Sequence, residues 1–298
     1  MTITALDSYS FAFDEFVFGG ADSPYQILAV EGLEDLPSIR NQDDNRGYQD
    51  GMFTGRDFLS GRTITVTIQI TGNNTSSMQQ NVALMQAALK PQQSGVGLLQ
   101  FQIPGFDLQQ VGARVRRRAL RIDPNYTYGL STAVYEFFCP DPRRYNNLLQ
   151  QTDLINATSV AGRTYNRVYT ALPSPGANPF INGMSFGGGS NSANLVTNNG
   201  WVTTYPTIRM TGTAINPKVT NVTTGDFLLF NVTLGTGDVL FVDTNLRSVT
   251  LNGISRRAIL DNSSTWFGAD PGTSYYTFIA TGTDANTTCQ VSWRSAYI

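Results

Sequence analysis

The chain has 298 residues, a formal net charge of −2, no histidine and two cysteines, Cys139 and Cys289. Charged residues make up 14% of it, well below the roughly 25% of an average soluble domain. Without histidine, Ser-His-Asp and Cys-His catalysis and histidine zinc sites are excluded, and two distant cysteines do not make a tetrahedral metal site. We therefore expect free, buried thiols and predict no enzyme activity, metal or cofactor.

Membrane targeting is not indicated by the sequence either. No stretch approaches the roughly 18 consecutive apolar residues of a membrane span. The first basic residue is Arg40, and no apolar core of a signal peptide precedes it. We predict no membrane insertion.

The first half of the chain alternates short strand patterns with turns. Apolar and polar residues alternate in SYSFAFDEFVFGG, in YQILAVEGL and most regularly in RTITVTIQITG. Apolar residues then recur at helical spacing in SSMQQNVALMQAALKP, with Ser76 or Ser77 as the predicted cap and Pro91 as the stop. GLLQFQIPG, VGARVRRRALRID and STAVYEFFCP are predicted as further strands. This half therefore predicts a β-rich domain with one helix.

One predicted strand is unusually rich in arginine: Arg114, Arg116, Arg117, Arg118 and Arg121. Strict alternation would put Arg114, Arg116 and Arg118 on one face and the other two on the opposite face. A solvated sheet edge explains such a strand, and a subunit interface does so too, because arginine is enriched at interfaces. Nucleic-acid binding ranks third, because no aromatic residues for base stacking are interleaved here and the whole chain is slightly acidic.

The stretch YEFFCPDPRRY, residues 135–145, ends the first half. A cysteine followed by arginine raises the possibility of a thiolate nucleophile. However, Cys139 lies between Phe138 and Pro140, an apolar setting that keeps a thiol protonated. We interpret the stretch as the end of a strand and of a domain. Earlier in the chain, NQDDNRGYQDG is predicted as a solvated loop.

The second half has a different texture. Residues 148–200 mix a scattered strand pattern, RTYNRVYT, with loops around residues 173–175 and 187–189 that we expect proteases to nick. From Trp201 onward, short strands recur at regular intervals between turns of Gly, Asn, Asp and Pro, which predicts an antiparallel β-sandwich. We predict a first domain over residues 1–147, and over residues 148–298 a loop-rich connection followed by the sandwich.

The sandwich also contains a candidate carbohydrate site. Trp266 lies in a turn-rich stretch with Asn262 and Asp270 nearby, and an exposed indole beside polar groups can stack on a sugar. A plain packing turn, with the indole beneath a Pro-Gly corner, is the alternative. We expect Trp293 to point into the core, because it alternates with Val291.

The order of the sequence patterns along the whole chain resembles that of the distal tail proteins of long non-contractile-tailed bacteriophages. In the first half the resemblance rests on FVFGG, YQILAVEGLEDLPSIR, QDGMFTG, RTITVTIQITG, the single helix and DPRRYN. In the second half it rests on NNGWVTTYPTIRMTGTAINPKVTN, GDVLFVDTNLRSVTLNG, STWFGADPGTSYYTFIATG and VSWRSAYI. The resemblance implies a tail-tube-like split β-barrel with one α-helix, followed by a galectin-like antiparallel β-sandwich.

The resemblance also implies a role. The copies would form a ring, usually hexameric, that joins the tail tube to the tail tip or baseplate of the virion after assembly in the host cytoplasm. The implied partners are further copies of the chain, the tail tube protein and the hub proteins of the tail tip or tail fibres. DNA would pass through the lumen without specific binding, so we expect the arginine-rich strand to face a neighbour or the rim. The alternative is a carbohydrate-binding adhesion module in the C-terminal sandwich.

Overall fold

The chain divides into two units that are interleaved along the sequence. A computed structural model describes residues 3–156 and 193–298. The first unit contains Met1–Leu149, Gly200–Val202 and Arg294–Ile298, and the second contains Gln150–Asn199 and Thr203–Trp293. The predicted strand RTYNRVYT and the loops around residues 173–175 and 187–189 lie outside the described residues.

The first unit is built from strands and one α-helix. Its strands before the crossing into the second unit are β1 (Ser10–Phe13), β2 (Phe16–Gly19), β3 (Tyr25–Glu31), β4 (Ile39–Arg40), β5 (Asp44–Asn45), β6 (Met52–Phe53), β7 (Phe58–Leu59), β8 (Arg62–Thr71), β9 (Gly97–Gln102), β10 (Gln109–Leu120), β11 (Leu130–Cys139) and β12 (Arg144–Asn146). Helix α1 spans Thr75–Ala88, and a 3₁₀ helix spans Pro124–Tyr128.

In its described residues the second unit contains strands and one short 3₁₀ helix, Arg257–Ile259. Its strands are β13 (Gln150–Leu154), β14 (Asn194–Asn198), β15 (Thr207–Thr211), β16 (Ala214–Asn221), β17 (Phe227–Leu229), β18 (Thr233–Leu234), β19 (Val239–Asp243), β20 (Ser248–Leu251), β21 (Ile254–Ser255), β22 (Gly272–Thr281) and β23 (Thr288–Trp293). The last strand of the chain, β24 (Ala296–Tyr297), belongs to the first unit. SRRAIL, which lies in the region of regularly recurring predicted strands after Trp201, contains the end of β21 and the 3₁₀ helix.

The main sheet of the first unit has the strand order β2-β1-β9-β10-β11-β8-β3, all antiparallel, and β12 pairs with both β10 and β24. The alternation predicted for β8 is confirmed, because Ile64, Val66, Ile68 and Ile70 are all buried. Phe137 of β11 lies at the centre of this core, with ring centroids 5.4 Å from Phe13 and 6.4 Å from Phe18.

Helix α1 covers this core with the predicted face. Met78, Val82, Met85 and Leu89 are all buried. The predicted cap was wrong by two or three residues. Asn74 caps the helix by accepting a bond from the Ser77 amide, while the Ser77 hydroxyl donates to the Asn74 carbonyl and accepts from its backbone N–H. Ser77 is thus the second partner of a capping box.

The second unit is the predicted antiparallel sandwich. One sheet has the order β13-β23-β15-β19-β20-β21, and the other has β14-β22-β16-β17 with β18 beside β16. Their inner faces share one buried cluster, to which Val242 and Val291 contribute from the first sheet and Phe278 from the second. Trp293 is buried as predicted and donates its indole N–H to the Thr197 carbonyl. The predicted fold class, mainly β with one α-helix and a sandwich, is confirmed in the described part of the chain.

Candidate assembly surface

The arginine-rich strand forms an open edge of the main sheet. Strand β9 pairs with β10 only as far as Ala113, opposite Gly97. From Arg114 to Leu120, β10 pairs with β11 on one side, and no strand within residues 3–156 and 193–298 pairs with its other side. An unpaired edge presents backbone N–H and C=O groups to another chain, and charged side chains are a usual way to control what binds there.

A β-bulge decides which way these arginines point. Val115 lies opposite Phe137, but Arg117 lies opposite Glu136, so Arg116 is an extra residue without a partner. The strict alternation predicted from the sequence is therefore wrong. Directly opposite residues share a face, which puts Arg118 on the side of buried Tyr135.

The bulge brings four of the five arginines to the outer face of the sheet. Arg114 and Arg117 lie opposite Phe138 and Glu136, which alternate with the buried residues of β11. The Arg116 guanidinium lies 3.5 Å from the centroid of the Phe138 ring. Arg121 donates its backbone N–H to Thr132, which is on the same face. This group of four, Arg114, Arg116, Arg117 and Arg121, is called the arginine face below.

The arginine face is only partly neutralised. Arg117 forms an ion pair with Glu136 at 2.8 Å, and Arg121 forms one with Asp123 at 3.2 Å. Arg114 donates to the Gly95 carbonyl oxygen, and Arg116 has an aromatic partner rather than an acidic one. The surface therefore has a positive excess that suits an acidic partner.

Arg118 has a separate environment on the other side of the strand. Its guanidinium interacts with the Tyr135 hydroxyl, and this contact opposes the dominant effect of burial, which raises the pKa of Tyr135 to about 12. Tyr135 is therefore neutral at physiological pH, and Arg118 forms a charged-to-neutral contact.

The opposite edge of the same sheet is acidic. Strand β3 pairs with β8 only, and no strand of the described chain pairs with its other side, where β2 packs against it through Phe16 and Tyr25. It ends at exposed Glu31, which is followed by Glu34 and Asp35. Across the outer face, Glu31 lies opposite Thr65, which lies opposite Glu136 and then Arg117. The four-stranded part of the sheet thus has a basic edge at β10 and an acidic edge at β3.

A two-step hairpin arm, residues 36–59, extends from the acidic edge. Strand β4 pairs with β7, and β5 pairs with β6 at the tip. NQDDNRGYQDG, predicted as a solvated loop, is exposed throughout and forms the outer part of the arm, with β5 within it. Large apolar side chains are exposed along it: Leu36, Ile39, Tyr48, Met52 and Phe53. A hairpin without a packed face is marginal by itself, so such an arm is suited to packing against a partner.

The paired arrangement of the arm was detectable in the sequence. Three arginines stack on its phenylalanines: Arg46 lies 5.2 Å from the Phe53 ring centroid, and Arg40 and Arg56 lie 5.6 Å and 5.4 Å from that of Phe58. The signal was two arginines, Arg40 and Arg46, before a glycine-containing turn and two phenylalanines, Phe53 and Phe58, after it. It was missed because the acidic residues of the turn dominate the composition.

Cys139 is not a nucleophile in this structure. It is fully buried and free, and burial raises the pKa of its thiol to about 12. Arg144, the second arginine after Cys139, donates hydrogen bonds to both carboxylate oxygens of Glu34. Cys289 is also buried and free, so the expectation of free, buried thiols is confirmed.

The candidate carbohydrate residues lie in one loop of the second unit. Trp266 is half-buried and packs against the core, with the Arg257 guanidinium 5.8 Å from its ring centroid. Asn262 and Asp270 are exposed, and the Asp270 carboxylate accepts a 2.6 Å bond from the Thr203 hydroxyl. Glycan binding here stays a prediction, which a glycan array with wild-type protein and Trp266→Ala would test.

Residues 3–156 and 193–298 contain neither a cluster of metal-ligating side chains nor a helix suited to span a membrane. No cluster of three or more metal-ligating side chains stands close enough together to hold an ion. No helix among these residues has both the length and the apolar composition to span a membrane.

Comparison with known proteins gives the fold of the whole chain and a family match for its last third. Residues 199–297 match the model of the siphovirus-type tail component, C-terminal domain, and no curated protein sequence matches the chain. The crystal structure of SPP1 Dit, described as a paradigm of the hub adsorption apparatus in phages that infect Gram-positive bacteria, matches with a TM-score of 0.64 and 15% identity over 98% of this chain and 100% of that chain.

The chain is also similar to one chain of the phage p2 baseplate in its activated conformation with Sr. The TM-score is 0.50 and the identity 12%, over 95% of this chain and 97% of the other. At these identities the likeness establishes the fold. The resemblance to distal tail proteins is confirmed: the chain has the Dit fold, and its residues 199–297 match the siphovirus-type tail component family.

Proposed function

We propose that this protein is a structural component of a phage tail whose copies join head to tail into a closed ring, hexameric by analogy with its family. The observation that carries the proposal is the pair of oppositely charged open edges on one sheet, the arginine face at β10 and the acidic edge at β3. Two different surfaces on one subunit that complement each other make a heterologous contact, and such a contact closes into a ring when its rotation allows.

The surface composition supports the same assembly. Between the two edges the outer face is largely neutral, with Thr65 and Thr67 on β8 and Val134 on β11, and the acidic residue there, Glu136, is paired with Arg117. The apolar residues of the arm would be covered once a neighbour packs on it, as expected where apolar groups form the centre of an interface. Neither feature suggests a catalytic step, and we propose none.

The proposed ring joins the tail tube to the tail tip or baseplate and leaves a channel for DNA. Its partners are further copies of this chain, the tail tube protein and the hub proteins of the tip or fibres. The finished protein resides in the virion tail, after assembly in the host cytoplasm. In this proposal the arginine face contacts a neighbouring copy rather than the channel, because arginines lining the lumen would bind the passing phosphates.

The ring is tested by native mass spectrometry and negative-stain images of the purified full-length protein. We expect closed rings, and we expect Arg116→Glu with Arg121→Glu to abolish them, because both arginines belong to the arginine face and are exposed. Arg209→Glu is the matched control, since Arg209 is an exposed strand arginine of the second unit.

A second control separates local from intersubunit effects. Arg117→Glu combined with Glu136→Arg inverts one ion pair but keeps it within the strand pair, so rings should persist. The proposal is wrong if the parent stays monomeric when mixed with tail tubes. The arginine assignment is wrong if the double reversal assembles like the parent.

A further inference from the structure

The last five residues of the sequence belong to the first unit although the whole second unit separates them from it. Ala296 and Tyr297 form β24, which pairs with β12: Arg144 lies opposite Tyr297, and Tyr145 opposite Ala296. Ser295 and Ala296 are fully buried. Strand β12 in turn pairs with β10, so the returning segment extends the main sheet.

A second short segment of the first unit, Gly200–Val202, contacts β24 on the side away from β12. The amides of Trp201 and Val202 donate to the Ala296 carbonyl at 2.9 Å and 3.3 Å. A Cβ on Gly200 would stand 1.8 Å from that same oxygen, so only glycine allows this approach. The Trp201 and Tyr297 rings meet edge to face at 5.4 Å.

Arg144 links this segment to the root of the arm. Its side chain is 1% exposed, and its guanidinium donates to both carboxylate oxygens of Glu34 and, at 2.9 Å, to the Ile298 carbonyl. Removing one partner from a buried charge is costly, because the charge stays desolvated without compensation. The final residues of the sequence therefore help to fix Glu34, two residues before the arm begins.

A second buried arginine holds the same loop. Arg62 donates to the carbonyls of Gly32, Leu33 and Pro142, and burial, reinforced by the neighbouring charge of Arg144, lowers its pKa. Two guanidiniums thus meet at the arm root, and Glu34 is the one carboxylate that forms an ion pair with either of them in the described residues. The conformation of the loop that carries Glu34 therefore depends on each hydrogen-bond acceptor of Arg62 and Arg144.

We propose that Arg294–Ile298 is a latch that completes the first unit only after the second unit has been made. Without it, Arg144 loses one acceptor, β12 loses its outer neighbour, and the loop that carries Glu34 loosens. A chain that stops early would then hold its arm incorrectly and be excluded from assembly. The expected loss of ring assembly rests on the proposed function. The expected loosening of residues 31–35, at the base of the arm, does not.

Hydrogen exchange of the full-length protein tests the latch without requiring a ring. Two variants open it from opposite sides: deletion of residues 294–298, and Gly200→Ala. In both we expect exchange at residues 31–35 and 143–147 to accelerate about tenfold or more, while β8 and β11 keep their protection, since local opening leaves the remaining structure intact. Gly235→Ala is the control, because its Cβ would meet only ordinary contact, 3.5 Å from an Asp238 oxygen.

Unchanged exchange at the two segments would overturn the proposal. A uniform loss of protection through β8 and β11 would overturn it as well, because the five residues would then be part of the core. Native mass spectrometry of the same samples tests the consequence. Variants that open at the arm root yet form rings like the parent would show that the latch does not control assembly.

Discussion

The two units differ in the length and the pairing of the strands at the edges of their sheets. Among the described residues of the second unit, the edge strands have at most five residues, and β17, β18 and β21 have three, two and two. Short edges offer little backbone to another chain. In the first unit, β3 has seven residues and β10 twelve, and half of β10 lacks an outer neighbour. In the described part of the chain the two units thus differ in how much unpaired strand they present, and the first unit presents more.

The largest expected effect comes from emptying one core at a time. Phe137→Ala in the first unit and Phe278→Ala in the second each delete a fully buried ring. Each should lower the free energy of unfolding by about 3–5 kcal/mol. If the units fold separately, hydrogen exchange measured in mild urea should show increased opening only in the unit that carries the substitution. An equal response of both units to either substitution would show that they unfold together, contrary to the predicted domain division.

The second-largest expected effect is a loss of stability at alkaline pH. It can be assigned to each unit separately, because each unit contains one buried thiol. Burial raises the pKa of Cys139 to about 12 and raises that of Cys289 as well. Between an unfolded pKa of about 8.5 and the folded value, the folded state binds more protons than the unfolded state. Stability is therefore complete below about pH 8.5 and falls above it, by at most about 1.4 kcal/mol per pH unit and thiol.

Urea unfolding at pH 7.5, 9 and 10 measures this slope. The Cys139→Ala variant should lose the alkaline slope of the first unit and keep that of the second, and Cys289→Ala should do the reverse. An unaltered slope in both variants would mean that other groups, such as the buried tyrosines Tyr145 and Tyr276, whose pKa values burial also raises, dominate the alkaline loss.

The smallest effect concerns the arginine face. Arg121 is largely exposed and pairs with Asp123 at 3.2 Å, so Arg121→Ala should change the free energy of unfolding by less than about 1 kcal/mol. The same substitution should weaken ring assembly, because the lost charge belongs to the proposed interface. Thermal unfolding of the monomer and native mass spectrometry together make the distinction. A large loss of monomer stability would identify Arg121 as a structural residue of the first unit.

The sequence by itself determined the elements whose signal is local. The alternation in RTITVTIQITG predicted β8, and the spacing of Met78, Val82 and Met85 predicted the buried face of α1. The short strands and turns after Trp201 predicted the sandwich. These signals are readable because side chains repeat with period two in a strand and 3.6 in a helix, whichever partners the element later meets.

The tertiary structure alone decided where long-range pairing overrides that periodicity. The bulge at Arg116 arises from the register between β10 and β11, and it gathers arginines that strict alternation would separate. The burial of Arg62 and Arg144 depends on acceptors 29 to 154 residues away. No local sequence pattern predicts that β24 belongs to the first unit, since a strand of two residues is defined only by the strand with which it pairs. Periodicity records which side of an element is buried, whereas the identity of its neighbours is set by contacts that the linear pattern does not contain.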